Sequence, residues 1–188
     1  LATAIEEAGI LGGDMKAKDL TDGKEPMSHA EIDCLKELAN TLPEYPVIVN
    51  IGAATGVSTL AFLEERADCF IYSVDIDECQ QEFDHVKQGG HDVGQVVRLL
   101  GDSTVIGPKF PYQCDMLFVD GDHWNAAGDI EAWIETGKVK PGGIIAFHDY
   151  QKVCAPNNPG SVYEHVNAGM VGYEKLDEVD RVIVFRMP

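Results

Sequence analysis

The sequence has few basic residues, no paired-cysteine motif, no long apolar run and no G-x-G-x-x-G loop, and each absence removes a class of function. Lys and Arg number 14 against 32 Asp and Glu, for a formal net charge of -18. A surface of that sign repels phosphate backbones, so no nucleic-acid partner is expected and the charge reads as a solubility device. The five cysteines (Cys34, Cys69, Cys79, Cys114 and Cys154) are scattered, odd in number and never spaced C-x-x-C. That argues against a disulfide framework or structural zinc and for reduced thiols in a cytoplasmic-type compartment. No stretch approaches the about 18 consecutive apolar residues of a membrane span, and no membrane partner is expected. The chain does not open on a basic segment followed by an apolar one, so secretion is not expected. It begins at Leu1 rather than Met, which leaves room for a preceding piece. Without a third glycine in its loop, a nicotinamide-dependent oxidoreductase is disfavoured.

At 188 residues, 45% apolar and 24% charged, the chain has the composition of one globular domain. It is organised around Val47 to Gly56, VIVNIGAATG. Residues rich in β-branched side chains lead into Gly52 and Gly56, and Val57 to Leu63 continues at helical spacing. This predicts a buried strand, a tight turn and a helix N-terminus, with glycines that let the backbone approach a nucleotide-like ligand. An ordinary strand-to-helix turn has the same pattern. Upstream, Leu1 to Leu11 reads as a short helix stopped by Gly12-Gly13, and Asp14 to Met27 as a loop. Ser28-His29-Ala30-Glu31 is a capping box that opens a helix running to Pro43. These leading helices are expected to cover an edge of the sheet rather than to wall a site.

Downstream, strands are expected at Phe70–Asp75, Val93–Leu99, Cys114–Asp120 and Ile144–Asp149. They alternate with helices at Asp77–Gln88 and Ala126–Val139, and Lys140 to Gly143 reads as a turn. Continuously apolar strands alternating with helices predict an α/β fold with a parallel sheet covered on both faces. Ser161 starts a helix through about Ala168, and Tyr173–Leu176 with Arg181–Phe185 reads as a hairpin. At least one late strand therefore runs antiparallel.

The ionisable residues collect where these strands end. Asp75 closes the second strand, where doubly wound sheets place the acid that accepts from ribose hydroxyls; a helix-capping Asp would look alike. Asp102-Ser103 follows the third strand, suited either to an adenine amino group or to a simple Asx-turn. Asp120-Gly121-Asp122-His123 crowds two carboxylates and an imidazole at the exit of the fourth strand. His148-Asp149 does the same at the fifth. Asp120, His148 and Asp149 form a set suited to a divalent ion, or to a hydrogen-bonded polar cluster without one. The remaining histidines read as surface residues: His29, His85, His91 and His165.

With these residues in place, the chain resembles the class I S-adenosylmethionine-dependent methyltransferases, closest to the metal-dependent, small-molecule O-methyltransferase branch. The resemblance rests on VIVNIGAATGVSTL (47–60), VDID (74–77), GDS (101–103), LFVDGDHW (117–124) and PGGIIAFHDY (141–150), and spans roughly Pro46 to Phe185. It implies a single domain: a helical cap over residues 1–45, then a Rossmann-like, doubly wound core over 46–188. The core would hold seven mostly parallel strands, with an antiparallel strand near the C-terminus and helices on both faces. It implies S-adenosylmethionine bound by Asn50, Gly52, Ala53, Gly56, Ser58, Asp75, Ile76, Asp102, Ser103 and Asp120. It also implies magnesium or manganese on Asp120, His148 and Asp149, with Asp120 and His123 catalytic and His123 the general base. Two positions depart from the family pattern: Asn50 stands where an acid is usual, and so does His148. The expected partner is a small hydroxyl-bearing acceptor, a sugar, phenol or natural product, contacted by residues 1–27 and 151–160. A binding protein without chemistry, or one directed at nitrogen or protein, is the alternative. Oligomeric state is left open, a homo-oligomer included.

Overall fold

The computed structural model describes residues 14–151 and 161–188. The helix expected at Leu1–Leu11 and most of the 151–160 stretch lie outside the described residues. The first described element is a 3₁₀ turn, Ala17–Leu20, within the expected loop. Helix α1 follows, His29–Thr41, opened by its capping box: Ser28 Oγ accepts from the Glu31 amide at 3.2 Å, and Glu31 Oε2 accepts from the Ser28 amide at 2.6 Å. Strand β1 (Val47–Ile51) enters the glycine turn, and α2 (Val57–Glu65) leaves it. The chain then runs through β2 (Phe70–Asp75), α3 (Gln80–Gln88), β3 (Val96–Leu100), α4 (Ser103–Ile106), β4 (Cys114–Val119) and α5 (Ala126–Asp129). It ends with β5 (Val139–Phe147), α6 (Val162–Gly169), β6 (Glu174–Val179) and β7 (Val182–Arg186).

The seven strands lie in the order β3-β2-β1-β4-β5-β7-β6. All pairs from β3 to β5 are parallel, and β7 runs antiparallel to both β5 and β6. The expected α/β architecture and late antiparallel strand are therefore present. Strand order reverses between β1 and β4, and the crevice at such a reversal is where open α/β sheets bind ligands.

Alternate strand residues feed two cores. On one face α1 and α2 bury Ile32, Leu35, Leu60 and Phe62 against Ile48, Ile71 and Phe118. On the other, Trp133 and Val166 pack on Val49, Leu117, Ile145 and Phe147. Each fully buried side chain of this size contributes about 1.5–3 kcal/mol, and together they hold the strand ends, and hence the site, in fixed register. Among the described residues no helix is long and apolar enough to cross a membrane, and Cys34, Cys69, Cys79 and Cys114 are free thiols.

Three segments differ from expectation. Lys140 to Gly143 is not a turn between elements but part of β5, bulged out between the Cys114–Val139 and Met116–Ile144 pairs. Gly142 takes φ 76° there, and main-chain bonds to Met187 hold the bulge against the chain beyond β7. The helix expected through Val139 is α5 followed by a π-helical stretch, Ile130–Glu135, with Gly137 (φ 73°) just beyond it. Finally, the third strand starts only at Val96, because Asp92 caps a 3₁₀ turn over Val93–Gln95.

Candidate active site

At the carboxyl ends of β1 to β4 lies a cleft of about 560 Å³, walled by the glycine loop on one side and by Asp120, Gly121, Asp122 and Asn125 on the other. Gly52 takes φ 80°, and a Cβ there would sit 2.1 Å from the Asp120 carbonyl oxygen. Its lack of a side chain is thus required by the packing of β1's end on β4's end, in addition to any ligand. Asp75 ties the loop down: its carboxylate accepts from the amides of Ala54 (3.1 Å) and Asp77 (3.0 Å). Asp102 caps α4 by accepting from the Thr104 amide at 2.8 Å, and Thr104 holds its carboxyl below the usual range. Ser103 donates to Asp129 at 2.5 Å.

Of the residues expected around a cofactor, Gly52, Asp75, Ile76, Asp102, Ser103 and Asp120 line this cleft. Asn50 and Ser58 lie beneath it. Asn50 is fully buried and donates to Ser58 Oγ (3.0 Å) and Thr59 Oγ1 (2.9 Å). Thr59 in turn donates to Glu82 at 2.6 Å, and Ser73 and Arg98 reach the other Glu82 oxygen. The acid absent at position 50 is therefore matched by one on α3, buried against Gly56, which packs on Glu82. Ala53 is buried as well.

The ends of β4 and β5 hold the second group. His123 Nε2 lies 2.9 Å from Asp149 Oδ2 and 3.8 Å from Asp120 Oδ1. One ligand atom each from Asp120, His123 and Asp149 fall within 4.8 Å of one another. Asp120 and Asp149 together push the His123 imidazole up to about 10. Asp149 sits at φ 54°, a left-handed conformation that costs energy for a side-chain-bearing residue and turns its carboxylate back toward the rim. His148 faces inward. Only 3% exposed, it donates from Nδ1 to Asp120 Oδ1 at 2.9 Å, and Nδ1 lies 3.7 Å from Asp149 Oδ2. Burial opposes its charge, but Asp120 and Glu31 outweigh that and raise it to about 10.

Sequence reasoning passed over three residues here. Glu31 of α1 is fully buried, with Oε2 3.4 Å from His148 Nε2, so the leading helix reaches the site besides covering the sheet. Arg181, in the turn between β6 and β7, contacts both Glu31 and Asp149. Asp129 is 2% exposed, and burial pushes its carboxyl up to about 6. Its spacing was the available signal, since Ala126, Asp129, Ile130 and Trp133 fall on one helical stripe. Of the other histidines, His29 is exposed as expected, whereas His85, His91 and His165 are half-buried, and His85 Nδ1 lies 2.8 Å from the Thr55 carbonyl.

A family model described as a methyltransferase domain matches residues 49–150, more than half of the chain. The chain belongs to the methyltransferase-domain family. No curated protein matches the sequence at a significant level. Among solved structures, the methyltransferase domain is similar to the O-methyltransferase TomG from Streptomyces achromogenes, in complex with S-adenosylmethionine. The two share 15% identity over 86% of this chain and 82% of that one, with a TM-score of 0.69. It is similar to MycE of the mycinamycin pathway, solved with Mg, S-adenosylhomocysteine and mycinamycin VI, at 13% identity over 93% of this chain and 54% of that one, TM-score 0.66. It is also similar to the N-methyltransferase NodS from Bradyrhizobium japonicum, at 13% identity over 88% and 89%, TM-score 0.67. These likenesses are of fold.

Proposed function

We propose that this methyltransferase-domain protein transfers the methyl group of S-adenosylmethionine to a hydroxyl of a small molecule, with His123 accepting the hydroxyl proton. One observation carries the reading: Asp120 walls the cleft and, with Asp149, brackets an accessible imidazole at its rim. When bound, S-adenosylmethionine supplies the electrophilic methyl. Gly52, Asp75, Ile76, Asp102 and Ser103 would hold it. The fit is physical. Each Asp75 oxygen is used once by the backbone, so the carboxylate keeps acceptor capacity for a ribose diol.

A divalent cation such as Mg or Mn would supply Lewis-acid polarisation of the acceptor hydroxyl. The residues present suit it, since Asp120 and Asp149 offer hard oxygen donors beside an imidazole. His148 Nδ1 faces the same two carboxylates, and with His148 as the imidazole ligand His123 would act as base. In the protein alone, Asp120 and Asp149 keep His123 protonated. With those carboxylates neutralised by such a cation, its imidazole would return toward the ordinary value of about 6.5 and could accept a proton at neutral pH. The -18 charge and the free thiols support a reduced, cytoplasmic-type setting and an acceptor that is not strongly anionic.

The test is transfer of labelled methyl from S-adenosylmethionine over a panel of sugars, phenols and amines. Hydroxyl methylation is expected, and His123→Ala should lower turnover about 10²–10⁴-fold with cofactor affinity unchanged. Weakened cofactor binding with normal turnover would remove the base role, and methylation of amines alone would favour a nitrogen-directed enzyme.

A further inference from the structure

The least explained feature of the site is Glu31. A glutamate at the third position of a helix normally completes a capping box at the surface, where glutamine serves equally well. Here it is fully buried, and beyond its own cap its side chain pairs with Arg181 and faces His148. Oε1 accepts from the Arg181 amide at 2.8 Å and from Arg181 Nε at 3.1 Å. Oε2 accepts from the Ser28 amide and points at His148 Nε2, which is buried and has no hydrogen-bond partner among the described residues. Arg181 is pinned in turn: Nη2 donates to the carbonyls of Lys24 (2.9 Å) and Pro26 (2.8 Å), and Nη1 to Asp149 at 3.2 Å. The first turn of α1, the loop before it, the β6–β7 turn and the end of β5 therefore meet on one carboxylate.

We infer that Glu31 is the positioning residue for His148: it attracts the Nε2 side of the ring, so that Nδ1 is presented to Asp120 and Asp149. Resting on the metal-assisted reading above, this assigns to α1 a part in the site. It also explains how a histidine serves where an acid is usual. A metal-binding imidazole is oriented, and made a better donor, by a carboxylate on its far nitrogen. Glu31 stands on that far side, and Arg181 fixes Glu31 while touching Asp149 on the near side.

Glu31→Gln tests this without removing the cap, because the glutamine carbonyl still accepts from the Ser28 amide. Two readouts apply: the imidazole ¹⁵N resonances of His148, assigned by their loss in His148→Asn, and Mn²⁺ affinity by calorimetry. The variant is expected to shift the His148 resonances and weaken Mn²⁺ binding about tenfold or more. Affinity for S-adenosylhomocysteine should stay within about twofold. Arg181→Lys, which keeps the charge but loses the fork, should move the same readouts less. Unchanged His148 resonances, an unchanged Mn²⁺ affinity, or a parallel loss of Mn²⁺ and S-adenosylhomocysteine binding with a lower Tm would overturn the inference. So would a wild type that binds no Mn²⁺. Failure of the wild type to bind S-adenosylhomocysteine would instead count against the methyltransferase reading, and the resonances would still score Glu31.

Discussion

On the β2–β3 side of the rim, Asp75 and Asp102 rest on main-chain amides of Ala54, Asp77 and Thr104. On the β4–β5 side, Asp120, Asp149 and Glu31 are satisfied by His123, His148 and Arg181. The difference lies in what the partners can do. A main-chain amide neither leaves nor changes charge, so the partners that hold Asp75 and Asp102 in this cradle do not titrate. An imidazole can give up a proton or exchange a carboxylate for a cation, so the second side can change state during a reaction. Asp120 belongs to both, walling the cleft and bonding His148.

That contrast breaks most sharply at Asp120. Asp120→Asn should abolish Mn²⁺ binding and lower kcat about 10³-fold, while S-adenosylhomocysteine affinity, measured by calorimetry, stays within a few-fold. Loss of cofactor binding instead would place Asp120 in the cradle alone. The next largest effect concerns the cradle's rigidity. Gly52→Ala puts a side chain at φ 80° and 2.1 Å from the Asp120 carbonyl. Backbone strain alone costs about 1–3 kcal/mol, and each kcal/mol lowers Tm by about 2–4 °C in a domain near this size. A scanning calorimetry trace matching wild type would show that the two strand ends are not locked together.

The smallest effect sharpens the picture at the cradle's floor. Asp129 has its carboxyl raised from 3.8 to about 6, chiefly by burial. Its folded-state pKa lies above the unfolded one, so the stability it contributes is complete below the unfolded value and is lost as pH rises through about 6. Asp129→Asn keeps an acceptor for Ser103 and removes that loss. Denaturant titrations should show the variant gaining about 1 kcal/mol or more on wild type between pH 4 and 7. Parallel curves would mean the carboxyl is better solvated than its burial indicates.

The strands and the rim residues were legible because β2, β4 and β5 are largely apolar and run out onto an acid, with Asp102 just beyond β3. Asp75, Asp102, Asp120 and Asp149 all emerge at the same edge for that reason. Local pattern could not show what lies across the chain. Glu31 looks fully employed by its own capping box, and Arg181, set beside Asp177 and Asp180, looks like a surface charge. Glu82 sits in a helix that reads as polar, yet it is buried beneath Asn50 and Thr59 through Ser73 and Arg98, which only the folded sheet brings together. The bulge at Lys140 to Gly143 was hidden because Pro-Gly-Gly reads as a turn unless a neighbouring strand edge is there to pair with it.

The most direct measurement is calorimetric titration of S-adenosylhomocysteine into the protein with Mn²⁺ present and again after chelation. The account predicts cofactor binding in both conditions, from a cradle built on main-chain amides, and a separate Mn²⁺ heat that Asp120→Asn removes. Absence of S-adenosylhomocysteine binding in either condition would contradict it.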